Sequence, residues 1–326
     1  METVEIGPHE LESGDVLPET VLAYEDTGNP EGPVVLICHA LTGDQYAAGG
    51  WWKGLIGPGK AVDTDRFRVL SFNAIGGCHG STGPLSVNPA TGEQYRSAFP
   101  AVTVRDMVRA ERKGLDLLGV GKMRAVIGGS LGGMRALEWG SQYPGMLDFV
   151  IPVAASPALS PYGIAFNTIG IRAIENDPLF LNGHYESSAD LKGLEIARMA
   201  AMVTYRSDKL FAERFGRDHN GEMFEVESYL DHQGAKLARR FDANSYITLL
   251  RAMNSHDVSE EKIETGIFAL SFTNDLLYPS TGMSDWLKKQ PAAEHELVET
   301  VYGHDGFLVE FEKWGYLIKD RLEQDD

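Results

Sequence analysis

Ser130 stands at the centre of a G-x-S-x-G pentapeptide, Gly128-Gly129-Ser130-Leu131-Gly132. The apolar run Ala125-Val126-Ile127 leads into it, and a helix-compatible stretch, Met134-Arg135-Ala136-Leu137-Glu138-Trp139, leads out. A serine in this setting occupies a tight strand-to-helix turn, where glycines two residues to either side let backbones approach without a Cβ clash. The following helix points its positive end at the hydroxyl. The chemistry expected is nucleophilic attack on an acyl carbon.

A serine hydroxyl is a poor nucleophile until a base takes its proton, and the base needs an orienting acid. In an open α/β sheet these partners follow in the order Ser, Asp or Glu, His, each past the carboxyl end of a strand. Asp275, in Thr273-Asn274-Asp275-Leu276, follows an apolar run at Ile267–Phe272, and His304, in Tyr302-Gly303-His304-Asp305, follows a shorter one near Glu296–Glu299. The triad read from the chain is Ser130, Asp275 and His304. Asp305 adjoins His304 too closely to bind its ring, Asp257 falls in a helical block, and so does the competing base His256. His39 follows the first central strand, where an oxyanion loop belongs. The tetrahedral intermediate needs two N–H donors; the amides of Leu131 and Leu41 are expected to supply them.

These residues require an α/β fold with a mostly parallel, doubly wound sheet. Strands are expected in residues 1–30 as a pair, at Val34–Cys38, at Phe67–Phe72, at 124–128 and at Phe149–Val153. The continuous apolar run Val34-Val35-Leu36-Ile37-Cys38 suits a strand covered on both faces. A helix is expected from about Thr103 and another from the elbow to about Tyr143. From about Ser156 to Ser259 the patterns are helical with no convincing strand. Ser187-x-x-Asp190 reads as the capped start of a helix running through Met202, and Phe241 to Met253 reads as another. Alternation then resumes, and a helix from about Gly306 closes the chain. The division expected is a core of 1–155 and 260–326 with a helical insertion at 156–259.

Composition agrees with a globular chain: 43% hydrophobic and 23% charged over 326 residues. The net charge of −18 repels nucleic acid and anionic membrane, so neither is expected as a partner. Cys38 and Cys78 make no disulfide framework, and no Cys/His cluster has metal-binding spacing. Without an export signal or a membrane-length apolar run, the chain reads as cytoplasmic.

Five segments are more specific than the pentapeptide: His39-Ala40-Leu41-Thr42-Gly43-Asp44, the loop Gly76-Gly77-Cys78-His79-Gly80-Ser81-Thr82-Gly83-Pro84, Gly128 to Met134, Arg240-Phe241-Asp242-Ala243-Asn244-Ser245-Tyr246, and Tyr302-Gly303-His304-Asp305. In them the chain resembles the homoserine O-acyltransferase family of the α/β-hydrolase fold, and the resemblance covers nearly its whole length. It implies a ping-pong reaction of methionine biosynthesis: an acyl-CoA acylates Ser130, CoA leaves, and the hydroxyl of homoserine takes the acyl group. Acyl-CoA is then a co-substrate, with no tightly bound cofactor. The stretch Leu276-Leu277-Tyr278-Pro279 lacks the arginine that a second carboxylate on the acyl chain would want, and so resembles acetyl-using members. The resemblance further implies that the insertion is a lid over a tunnel and that lid helices build a homodimer. It assigns the acceptor's ammonium to Asp305 and matches a family segment at Tyr205 and Arg206. The family's carboxylate-binding arginine corresponds to Ile171, with Arg172 one place later. On a helix one residue turns the side chain by about 100°, so either the helix shifts locally and Arg172 still reaches the pocket, or the carboxylate clamp is lost and the acceptor is open. The alternatives are a serine acetyltransferase, a homoserine succinyltransferase or an esterase.

Overall fold

The structure, a computed structural model, describes residues 1–324. One sheet holds eight strands: β1 (Glu2–Glu10), β2 (Val16–Gly28), β3 (Val34–Cys38), β4 (Arg68–Phe72), β5 (Met123–Gly129), β6 (Leu147–Val153), β7 (Gly266–Phe272) and β8 (Ala293–Val298). Their order across the sheet is β1-β2-β4-β3-β5-β6-β7-β8. β2 is antiparallel to both neighbours, and the remaining pairs are parallel. All five residues of β3 are buried, as a strand covered on both faces requires. Leu36 and Cys38 pack into one core, whereas Val35 and Ile37 pack into a second on the opposite face.

Helices α1 (Val104–Leu117) and α2 (Leu131–Gln142) cover the first face, together with α8 (Ser280–Leu287). The second face lies under α9 (Phe311–Glu323) and the 47–63 segment, through Trp52, Leu55, Trp314 and Ile318. Thr103 starts α1 through a reciprocal cap. Its hydroxyl accepts from the Asp106 N–H, and the Asp106 carboxylate accepts from the Thr103 N–H, which satisfies two helix-end donors.

A fully buried ion pair ties α1 and α2 to the strand ends. Arg135 Nε donates to Glu111 Oε1 at 2.8 Å, Trp139 Nε1 donates to Glu111 Oε2 at 2.9 Å, and the Arg135 Nη2 group donates to Phe72 O at 3.3 Å. Arg135 Nη1 reaches His39 O at 3.5 Å. The carbonyl ends of β3 and β4 are thus held from beneath the site. Arg135→Met leaves the buried Glu111 carboxyl without its ion-pair partner, and is expected to cost about 3–5 kcal/mol, read as a lower urea midpoint.

Between Val153 and Gly266 the chain leaves the sheet and forms α3 (Pro161–Glu175), α4 (Lys192–Tyr205), α5 (Asp208–Phe215), α6 (Glu225–Ala238) and α7 (Ala243–Ser255). The two connections to the sheet run side by side, with Ala158 bridged to Asp257 and Val258 N–H donating to Pro157 O at 2.8 Å. The expectation of no strand here is corrected by a two-residue ribbon pairing His219–Asn220 with Met223–Phe224. Ser187 caps a single 3-10 turn, Ser188–Asp190, rather than α4, which begins at Lys192. The Gly306 region is likewise a 3-10 turn, Gly303–Leu308, and α9 starts only at Phe311. Short polar caps and turns read alike in sequence, since both satisfy backbone N–H groups locally.

Candidate active site

Ser130 lies between β5 and α2 with φ 57° and ψ −119°, a left-handed conformation that a non-glycine residue adopts only under constraint. The constraint is visible on both sides. A Cβ on Gly128 would sit 2.1 Å from Gly132 O, and one on Gly132 would sit 2.0 Å from Cys38 O. Only glycine lets strand, helix and the neighbouring β3 close up so far. Ser130 N–H is anchored to Val153 O at 2.9 Å.

The structure brings the three triad candidates together. Ser130 Oγ donates to His304 Nε2 at 3.0 Å, and His304 Nδ1 donates to Asp275 Oδ2 at 2.8 Å. The second oxygen of Asp275 accepts from the Leu277 and Tyr278 N–H groups, each at 2.9 Å, so the carboxylate cannot rotate freely. All three side chains are buried. The imidazole is boxed by the rings of Tyr278, Phe307 and Tyr205 at centroid distances of 5.1, 5.2 and 5.5 Å. Such an arrangement delivers a serine proton to a base of fixed tautomer.

The Leu131 amide is the first of its helix and, like the Leu41 amide, meets no acceptor among the described residues. Leu41 and Ser130 line the same cavity, so both amides are available to an oxyanion. His39 braces the loop and is not a base. Its Nδ1 donates to Ala40 O at 2.8 Å and its Nε2 accepts from Ala74 N–H at 3.0 Å. Burial, reinforced by Arg135, lowers its pKa to about 3, which keeps it neutral. His256, also buried, packs against Glu138 at 3.4 Å, away from Ser130. Asp257 is a turn carboxylate accepting from Ser259 N–H.

The cavity over Ser130 is narrow, ≈ 20 Å³, and is walled mainly by Leu159, Phe166, Tyr205, Tyr246, Leu250 and Tyr278. Tyr205 is thus placed in its wall. Asp305 does not line it but acts on Tyr205. Burial raises the Tyr205 phenol pKa, Arg198 opposes that shift, and Asp305 adds to it. Asp305 Oδ2 accepts from Arg206 Nε at 3.0 Å, which leaves Oδ1 without a donor among the described residues.

Arg172 corrects the expectation. It is 71% exposed, pairs with Glu175 at 2.7 Å, and lies on the solvent face of α3. Ile171, one position earlier, is the buried residue. The helix has not shifted: the apolar side chain took the inward face and rotated the arginine out.

Arg198, which no sequence motif marks, lies beside Tyr205. Its guanidinium lies 5.4 Å over the Tyr205 ring, and it has no carboxylate partner among the described residues. The signal was its spacing, since residues seven apart share a helix face. Tyr246 and Tyr278 stand in the sequence motifs with no role that the residue types alone reveal. The Phe241–Tyr246 motif is now explained: Asp242 caps α7 through Ser245 N–H at 2.7 Å, Asn244 Nδ2 donates to Gly183 O at 2.9 Å, and Tyr246 is thereby set in the cavity wall. Cys78, in the glycine-rich loop, has its thiol pKa pushed up to about 12 by burial, so it is inert as a nucleophile.

The model of the alpha/beta hydrolase fold matches residues 33–311. The homoserine O-acetyltransferase of Symbiobacterium thermophilum is 45% identical over 340 aligned positions, covering 93% of this chain and 89% of that one. The crystal structure of homoserine O-acetyltransferase from Bacillus anthracis superposes with a TM-score of 0.93 at 27% identity, over 99% of this chain and 97% of that one. Esterase E22 superposes with a TM-score of 0.90 at 25% identity, over 99% of both chains. An esterase and a transferase therefore share this architecture, and the length and level of the sequence match separate them: the chain belongs to the homoserine O-acetyltransferase family of the α/β-hydrolase fold.

Proposed function

We propose that this protein transfers an acetyl group from acetyl-CoA to the hydroxyl of L-homoserine through a Ser130 acyl-enzyme. His304 takes the serine proton and passes it to the CoA thiolate as it leaves. In the second half it takes the homoserine hydroxyl proton and returns it to Ser130. Asp275 holds the imidazole in the tautomer that accepts on Nε2. The Leu41 and Leu131 amides bind the oxyanion in both halves. Residues 156–259 act as a lid that keeps water from the acyl-enzyme, which must be transferred rather than hydrolysed.

The observation that carries the reading is a pair of opposite charges acting on Tyr205, whose ring walls the cavity and packs on His304. Asp305 offers an unoccupied carboxylate oxygen for an ammonium. Arg198, a cation without a carboxylate partner among the described residues, suits the acceptor's carboxylate and takes the part expected of Arg172. A zwitterionic amino acid fits this pair; a simple ester does not use it. Arg198→Met is expected to raise KM for homoserine roughly 10- to 100-fold, as loss of a charge-assisted hydrogen bond does, while KM for acetyl-CoA stays within about twofold.

The reading entails a cytoplasmic enzyme with acetyl-CoA as co-substrate and no tightly bound cofactor. It also entails a homodimer through the lid, for which the exposed Tyr162 and Ile169 of α3 and Ile196 and Val203 of α4 supply apolar surface. No helix among the described residues is long and apolar enough to cross a membrane. The deciding experiment follows CoA thiol release from acetyl-CoA with and without homoserine. Release should be stimulated by homoserine, with O-acetylhomoserine as product. Release that ignores homoserine and yields only acetate would assign the chain to hydrolysis, and stimulation by serine alone would move the acceptor.

A further inference from the structure

Tyr278 is 2% exposed, yet its phenol oxygen has no hydrogen-bond partner among the described residues. An unpaired buried hydroxyl is destabilising by about 1–3 kcal/mol, so a cavity wall retains one only where something else compensates. Burial raises the phenol's pKa, so it stays a donor, and the hydroxyl of Ser130 approaches it as a hydrogen-bonding neighbour without full hydrogen-bond geometry. Its ring lies 5.1 Å from the His304 imidazole, tilted by 33°.

The sheet order fixes which side of Ser130 it serves. The Leu41 loop follows β3, on one side of β5, and the Asp275–Tyr278 loop follows β7, on the other. The carbonyl oxygen of a bound acyl group goes to the Leu41 and Leu131 amides. The heteroatom that leaves or enters must lie toward His304 Nε2, which exchanges its proton, and Tyr278 stands on that side.

We propose that Tyr278 is a catalytic residue whose O–H donates a hydrogen bond to the departing heteroatom of the acyl donor, the thioester sulfur in the forward half, and to the acceptor oxygen in the second. In the first half the Ser130 Oγ–acyl bond forms and the acyl–sulfur bond breaks. The serine proton moves by way of His304 to the sulfur. Tyr278 keeps its own proton and offsets the negative charge that builds on the heteroatom before that proton arrives. The inference rests on Ser130 as the acylated nucleophile, not on the identity of the acceptor.

Tyr278→Phe tests it, because phenylalanine keeps the ring packing and removes only the unpaired hydroxyl, so folding is retained. Single-turnover phenol release is measured on a series of aryl acetates running from p-nitrophenyl to phenyl acetate, in order of increasing leaving-group pKa. A good leaving group needs no donor; a poor one does. The rate should stay within about twofold of the parent for p-nitrophenyl acetate and fall about tenfold for phenyl acetate, a difference of about 1.4 kcal/mol in barrier. Acetyl-CoA should fall with the slow end of the series. The same factor for every ester, or no change, overturns the proposal and leaves the phenol as packing. A parent enzyme that releases no phenol, or a Ser130→Ala variant that still does, overturns the nucleophile reading, and this inference with it.

Discussion

Ser130→Ala is expected to lower kcat by about 10⁵ to 10⁶, the loss seen when the nucleophile of a serine–histidine pair is removed. The substitution deletes one oxygen and leaves the Cβ, so the left-handed turn at φ 57° and the packing of Gly128 and Gly132 around it are unchanged. One hydrogen bond, to His304 Nε2 at 3.0 Å, is lost, with about 1 kcal/mol of stability at most. A folded, inactive protein is therefore the expected product, with an unfolding midpoint near the parent's. The other hydroxyls and thiols near the cavity do not substitute. Cys78 is held protonated by burial, and the Tyr205, Tyr246 and Tyr278 phenols are all shifted up by the same cause. Thiol release from acetyl-CoA in the presence of homoserine measures the effect. A residual rate within about a hundredfold of the parent would place the nucleophile elsewhere.

What could be read from the chain, and what could not, divides along one physical line. Steric and order constraints are local and legible. Gly128 and Gly132 flank a serine because a Cβ there meets backbone at about 2 Å, and Asp275 and His304 follow strands because the sheet presents its loops at that edge. The all-apolar β3 announced a strand buried on both faces for the same reason. Facing is different. Whether Ile171 or Arg172 turns inward depends on how α3 packs on α4 and α7, and both faces of these short lid helices carry apolar residues. The residue pattern left Arg172 either reaching the pocket or giving up the clamp, and the packing puts it in solvent. Arg198 escaped notice for the converse reason, being one cation on a helix whose inward face was not legible. Tyr278 and Tyr246 were in view, but a tyrosine's meaning here lies in the burial and pairing of its hydroxyl, which only the folded chain supplies. The capped 3-10 turns at Ser188–Asp190 and Gly303–Leu308 show the same limit at short range: the capping residues were recognised, but not the length of what they cap.

The carboxylate end of the triad yields a prediction that this geometry makes sharper than the residue types alone would. Asp275→Asn is expected to lower kcat by about 10⁴, as the equivalent change does where an aspartate fixes a catalytic histidine. The reason lies in the two amides behind it. Leu277 and Tyr278 N–H groups both point at Asp275 Oδ1 from 2.9 Å, so that site must hold an acceptor. An asparagine at 275 keeps its carbonyl oxygen there, because turning the amide nitrogen inward would set donor against two donors in a buried place. Its NH₂ group then faces His304 Nδ1, where the aspartate oxygen now accepts at 2.8 Å. That forces the ring to accept on Nδ1 and to carry its proton on Nε2, facing Ser130, the tautomer that cannot take the serine's proton. The loss should fall on kcat, with KM for homoserine within a few-fold, since Asp305, Arg198 and Tyr205 are untouched. Because hydroxide can remove the serine proton directly, the variant's residual rate should rise with pH across the alkaline range while the parent's levels off. An Asp275→Asn rate within about tenfold of the parent, or a pH profile parallel to the parent's, would show that the carboxylate does not set the tautomer of His304.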